Sequence, residues 1–196
     1  MAPRAVLFDL GGVLLPFDRE RRVAVIAERT GKPAEAVRGF MASDIHRRMD
    51  SGEANEFDLA AALSEFAGGR IDAVEACDLI ASVFEPPNGE LWDLVDALRA
   101  RAVVGGFSDN PGLVRQVFPP HTFLEPLFLS CEIGACKPSP EAFAAVEAGL
   151  GLPAGEILLI DDTAANIAAA RMRGWDAILF TSNAALLSDL SQRGLP

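Results

Sequence analysis

Arg4-Ala5-Val6-Leu7-Phe8-Asp9-Leu10-Gly11-Gly12-Val13 is the segment from which the architecture follows. Its first half, Arg4 to Phe8, is a short and nearly continuous apolar run, the pattern of a strand covered on both faces rather than one that alternates between core and solvent. Asp9 ends the run, and Gly11-Gly12 supplies a tight turn directly after it. In an open parallel sheet, ligands gather beyond the carboxyl ends of the strands, so Asp9 stands where chemistry is expected.

The pattern changes from Asp18 to about Phe84. No strand-like run occurs there, and apolar residues recur at helical spacing, as in Leu59, Leu63 and Phe66. Breaks at Gly31-Lys32-Pro33, Ser51-Gly52 and Gly68-Gly69 predict about four helices, closed by Pro86-Pro87. Beyond Pro87 the elements alternate. Helices are expected over Gly89 to Arg101, Pro111 to Phe118, Pro140 to Leu150, Ala164 to Arg173 and from Asn183 onward. Strands are expected over Ala102 to Phe107, Leu127 to Leu129, Glu156 to Ile160 and Asp176 to Phe180. Such alternation predicts an α/β fold, a parallel sheet with helices on both faces.

Four strand ends then carry polar groups: Asp9, Ser108-Asp109-Asn110, Lys137 after the short strand, and Asp161-Asp162. Each has a structural reading by itself. Asp9 can satisfy turn amides, Asp162 or Thr163 can cap the helix from Ala164, Asn110 can cap a helix starting at Pro111, and Lys137-Pro138 can be a surface loop. Together they supply a carboxylate nucleophile, a hydroxyl, an ammonium and a carboxylate pair, the parts needed for phosphoryl transfer.

In order and content these pieces resemble the haloacid dehalogenase superfamily, specifically the members with a helical cap inserted after the first motif. Phe8-Asp9-Leu10-Gly11-Gly12-Val13, Phe107-Ser108-Asp109-Asn110, Lys137-Pro138 and Ile160-Asp161-Asp162 with Asn166 carry the resemblance, which spans nearly the whole chain. It is most similar to the bacterial glucose-1-phosphate phosphatase-like members. The resemblance implies a Rossmann-like three-layer core from residues 1–15 and 87–196, with an all-helical cap from residues 16–86. It also implies a Mg²⁺-dependent phosphatase acting on a small phosphorylated metabolite, sugar phosphates being candidates, through an aspartyl-phosphate.

By the same resemblance, Asp9, Ser108 and Lys137 are the catalytic residues, and Ser108, Asp109, Asn110 and Lys137 hold the phosphate. The metal falls to the Asp9 carboxylate, the Gly11 main-chain oxygen and Asp162, with Asp161 behind them. Carboxylates gathered this closely repel by roughly 4 kcal/mol per pair at about 4 Å and an effective dielectric of 20, which a divalent cation relieves. Substrate identity is expected in the cap, with Phe17, His46, Arg47, Arg48 and Glu53 as contacts, against the alternative that these form a solvated helix surface. Neither His46 nor His121 has partner ligands at metal-binding spacing.

The departure from the family pattern is Gly11. Most superfamily phosphatases carry there a second Asp that serves as acid to the leaving group and base to water, help typically worth about 10²- to 10⁴-fold in rate. Asp18, Asp44, His46 and Asp50 are substitutes that the sequence does not rank. Dehalogenating members usually carry Tyr at that position and lack the acidic pair; this chain has no Tyr and keeps Asp161-Asp162. Two alternatives stay open: a dehalogenase-type hydrolase, and a silent module that binds a phosphometabolite or a protein.

Composition narrows the partners. The 196 residues include 17 basic and 28 acidic side chains, a formal charge of −11, with 50% hydrophobic and 23% charged residues. An acidic surface repels a nucleic-acid backbone, and the chain is apolar enough to bury a core. No apolar run approaches the roughly 18 residues of a membrane span, and the first run is too short for a signal peptide, so a cytoplasmic protein without membrane contact is expected. Three cysteines without a Cys-x-x-Cys spacing favour free thiols, and the oligomeric state is left open. Of the 17 basic residues only Lys32 and Lys137 are lysine, so a retained lysine points to a task that a planar guanidinium performs badly.

Overall fold

The computed structural model describes residues 2–82, 87–116 and 124–196. Five parallel strands, β1 (Ala5–Phe8), β2 (Val103–Ser108), β3 (Leu127–Leu129), β4 (Ile157–Asp161) and β5 (Asp176–Leu179), form one sheet in the order β3-β2-β1-β4-β5. β1 lies at the centre, with Phe8 in register with Gly106 of β2 and Ile160 of β4. That register brings the carboxyl ends of three strands level, and with them Asp9, Ser108 and Asp161.

Successive residues of β1 feed opposite sides, as a strand's period of two requires. Val6 and Phe8 pack on one face with Leu91, Leu94, Val95 and Leu98 of α6 (Glu90–Arg99) and Leu186 and Leu190 of α10 (Asn183–Gln192). Leu7 packs on the other with Phe143 and Val146 of α8 (Pro140–Leu150) and Ile167 and Ala170 of α9 (Ala164–Arg173). Phe107, Phe143 and Trp175 meet there edge-on or tilted, with centroids 5.1–6.3 Å apart. Three layers result, as an α/β alternation dictates.

Between β1 and α6 the chain leaves the sheet for a helical insert. It contains α1 (Arg19–Thr30), α2 (Ala34–Met41), α3 (Asp44–Asp50), α4 (Glu56–Phe66) and α5 (Ala73–Ser82). Val23, Ile26, Val37, Ala60, Leu63 and Leu79 bury one another in it, and Met49, Ala54 and Leu59 form a second cluster. The way out and the way back run side by side, since the Asn88 amide donates to the Leu14 carbonyl at 2.7 Å.

Two expectations are corrected. The insert has five helices among the described residues, because the chain also breaks at Ala42-Ser43 between α2 and α3. No Gly or Pro marks that break; Ser43 adopts an extended conformation ahead of Asp44 and the helix restarts. The helix expected over Pro111 to Phe118 is a 3₁₀ segment at Gly112–Gln116, where the Val114 amide bonds to the Pro111 carbonyl three residues back. Phe118, Phe84, Pro86 and His121 lie outside the described residues. The short helix α7 (Ser130–Ile133) follows β3 directly and ends at Gly134.

Candidate active site

Asp9 follows the central strand, and its amide is held by the Ile160 carbonyl at 2.8 Å. Its Oδ1 accepts from the Leu10 amide at 2.7 Å and from the Ser108 hydroxyl at 2.6 Å. Ser108 Oγ accepts in turn from the Asn110 side-chain amide at 2.9 Å, so Asn110 orients the hydroxyl rather than capping a helix. From the third strand end, Asp161 accepts from the Thr163 amide at 2.8 Å and the Asn166 side chain at 3.1 and 3.2 Å.

Lys137 reaches across beneath these groups. Its ammonium donates to the Phe107 carbonyl at 2.9 Å and to Asp161 Oδ2 at 2.6 Å, and lies 3.2 Å from Asp9 Oδ2. The amide of Lys137 is held by Asp109 Oδ1 at 2.9 Å. The Asp109 carboxylate thus helps to place Lys137, and Asp109 itself lines the cleft. Thr163 heads α9 without a side-chain capping bond, so neither it nor Asp162 takes the capping role open to them in the sequence.

Burial sets the charge states. It pushes the Asp9 carboxyl up to about 6; Lys137 pulls the other way, Asp161 adds to the rise, and the bonds from Ser108 and Leu10 oppose it. Asp109 is also raised by burial, against the pull of Lys137. Burial alone would lower Lys137, but Asp9, Asp161 and Asp109 outweigh it and hold the ammonium above its ordinary range. The site is thus an acidic cluster that a single cation does not neutralise.

One oxygen each from Asp9, Asp161 and Asp162 lies within 4.8 Å of the others. Asp9 and Asp161 are buried, while Asp162 is exposed toward the cleft. Oxygen donors of this kind suit a hard divalent cation. Gly12 makes room for the third carboxylate: its φ is 76°, and a Cβ there would stand 2.0 Å from Asp162 Oδ2. The residues present therefore fit a small oxygen-bound metal.

A cleft of about 500 Å³ opens above Asp9 and runs into the insert. Its floor is Asp9, Gly11, Ser108, Asp109, Asn110 and Asp162, and its upper wall is apolar, including Ile26, Phe40, Leu63 and Leu79. Phe17 and His46 line it. Arg47, Arg48 and Glu53, named with them from the sequence, are not among its lining residues. Arg47 pairs with Asp44 on the exposed side of α3, and Arg48 and Glu53 face each other through an Arg48 bond to the Glu53 carbonyl. Arg22, which the sequence did not single out, also reaches the cleft, as does Asp50, one of the four candidate proton donors. Arg22 had a legible signal, lying one helical turn before the buried Ile26.

Comparison with known proteins fits this geometry. A family model described as haloacid dehalogenase-like hydrolase matches residues 3–174. A phosphatase from Mycobacterium tuberculosis is 28% identical over 91% of this chain and 88% of its own. A D-ribitol-5-phosphate phosphatase from Bacteroides thetaiotaomicron is 20% identical over 87% of this chain and 88% of its own. Among solved structures, a HAD-family enzyme from B. thetaiotaomicron in complex with magnesium and inorganic phosphate superposes with a TM-score of 0.82, at 23% identity, over 93% of this chain and 96% of that one.

Proposed function

Since the chain belongs to the haloacid dehalogenase-like hydrolase family, we propose that it is a Mg²⁺-dependent phosphatase of small phosphorylated metabolites, sugar phosphates among them, with Asp9 as nucleophile. The observation that carries this reading is the Asp9 carboxylate, fixed by Ser108, Leu10 and Lys137 at the floor of a cleft beside two further carboxylates. Asp9, the Gly11 main-chain oxygen and Asp162 would hold the metal, with Asp161 fixing Lys137 behind them. When bound, Mg²⁺ supplies positive charge to the phosphoryl oxygens.

Asp9 attacks phosphorus in line with the departing oxygen, and an aspartyl-phosphate forms. The Lys137 ammonium and the Ser108 hydroxyl stabilise the charge that builds on the equatorial oxygens. Water then cleaves the acyl phosphate and returns Asp9. Residues 16–86 act as a cap over residues 1–15 and 87–196, excluding water and holding the leaving group between Phe17, His46 and the apolar wall.

The acidic cluster weighs against the dehalogenase alternative, which has no use for three gathered carboxylates. It also weighs against a silent binding module, which has no need of a buried carboxylate held among like charges.

Phosphate release from p-nitrophenyl phosphate and a panel of sugar, polyol and alkyl phosphates tests the reading, with Mg²⁺ or EDTA and with Asp9→Asn beside the wild type. The expected result is turnover with Mg²⁺, none with EDTA, and a loss of about 10³-fold or more in Asp9→Asn. Equal rates in Asp9→Asn and wild type would overturn it.

A further inference from the structure

We propose that the Asp50 carboxyl group, brought to the site by the insert, is the acid that protonates the leaving oxygen and the base that then takes a proton from the attacking water. This inference rests on the phosphatase reading and fills the place that Gly11 leaves without a side chain.

The four substitutes named from the sequence separate clearly in the structure. Asp18 caps α1, accepting from the Arg21 amide at 2.9 Å, and does not line the cleft. Asp44 is exposed and paired with Arg47. His46 lines the cleft, but burial lowers its pKa, so near neutral pH its imidazole is uncharged and a weak acid. Asp50 lines the same cleft and is half-buried. Its carboxyl makes no hydrogen bond or ion pair among the described residues, so nothing else employs it.

The docking of α3 fixes where this carboxyl stands. Two residues beyond Asp50, Gly52 has a φ of 76° and packs so tightly on the core that a Cβ would lie 2.1 Å from the Cys131 carbonyl oxygen of α7. This contact holds the end of α3 over the core. Asp50 thus lines the cleft together with Asp109, the residue after Ser108, whose hydroxyl touches Asp9. The carboxyl therefore shares the cleft with Asp9, Ser108 and Asp109, on the side that the insert supplies.

Its surroundings suit both halves of the task. Burial first, and the Asp109 charge second, push Asp50 up to about 6, so protonated and ionised forms are both available near neutral pH. The other titratable groups around it are the Cys136 thiol on the core side, itself raised by burial, Asp109 and Asp50, and His46 and Arg22 on the cleft wall. An incoming phosphate adds negative charge and favours the protonated form further.

The proton balance closes over one turnover. As the bond from Asp9 to phosphorus forms and the bond from phosphorus to the leaving oxygen breaks, the Asp50 proton passes to that oxygen and the alcohol departs. The Asp50 carboxylate then accepts a proton from water as the water oxygen attacks the aspartyl-phosphate. Inorganic phosphate leaves, and Asp9 and protonated Asp50 are restored.

The test compares Asp50→Asn with wild type in Mg²⁺ on two substrates: the alkyl phosphate that wild type turns over best, and p-nitrophenyl phosphate, whose phenolate departs without a proton. The kcat/KM for the alkyl ester is expected to fall by about 10²-fold or more, and for the aryl ester by about tenfold or less. Because water attack has lost its base, the aryl ester is also expected to give a burst of one p-nitrophenol per enzyme, with phosphoenzyme trapped on acid quench. Equal falls in kcat/KM for the two esters with no burst, or no fall for the alkyl ester, would overturn the assignment of Asp50 and leave the phosphatase reading standing. Absence of turnover by the wild type on every ester would overturn the phosphatase reading, and this inference with it.

Discussion

Lys137 shows how one side chain can hold a site together. Its ammonium donates to the Phe107 carbonyl and Asp161 and lies 3.2 Å from Asp9, an arrangement in three directions that suits a compact cation and not a planar guanidinium. The other lysine, Lys32, lies over the Phe66 ring at 5.6 Å in the loop after α1, a position any cation can take. The scarcity of lysine in an arginine-rich chain thus drew attention to a residue that the structure buries between Asp9 and Asp161. Lys137→Met leaves buried Asp9 and Asp161 facing each other, and breaking buried pairs of this kind costs about 3–5 kcal/mol. Urea unfolding in EDTA is expected to show that loss, and Lys137→Arg is expected to recover little of it. Asn110 and Asp109 teach the complementary lesson: their place beside the strand end was legible, but their partners, Ser108 Oγ and the Lys137 amide, depend on which strand ends become neighbours in space.

The strands were legible because they are short apolar runs, which in β1 to β4 close on a polar residue, and their ends assembled the site because β1, β2 and β4 are adjacent. The insert was less legible. The break at Ala42-Ser43 carries no Gly or Pro, and the inward turn of Asp50, while Arg47 and Arg48 turn outward, is set by the docking of α3 and not by local spacing. Gly52 is where that docking can be tested. Gly52→Ala puts a Cβ at positive φ, a strain of roughly 1–2 kcal/mol, and drives it into the Cys131 carbonyl. The expected outcome is a fall of at least that size in unfolding free energy, measured by urea titration. A fall in kcat/KM for alkyl phosphates is expected with it, because α3 and Asp50 shift together.

Across the whole molecule, the site is assembled at some expense of stability, and the pH dependence of unfolding should reveal it. Asp50 ionises near the ordinary carboxyl value of 3.8 when unfolded and at about 6 when folded. Its contribution to stability is fully present below the unfolded value and is lost as pH rises through about 6. Thermal unfolding of wild type and Asp50→Asn is therefore expected to converge near about pH 4 and to separate by about pH 8, with the variant melting higher. Asp9, also raised to about 6, weakens the metal-free protein in the same direction. The hydrogen bond from the Asn88 amide to the Leu14 carbonyl has a different consequence. Apart from the docking of α3 on α7, the core meets the insert as a loop whose two ends already touch, and the entropy of closing such a loop grows only logarithmically with its length. The core is thus a socket: the entropy of closing a longer or shorter insert between Leu15 and Asn88 is nearly constant, so what is plugged in can change while Asp9, Lys137 and Asp161 stay put.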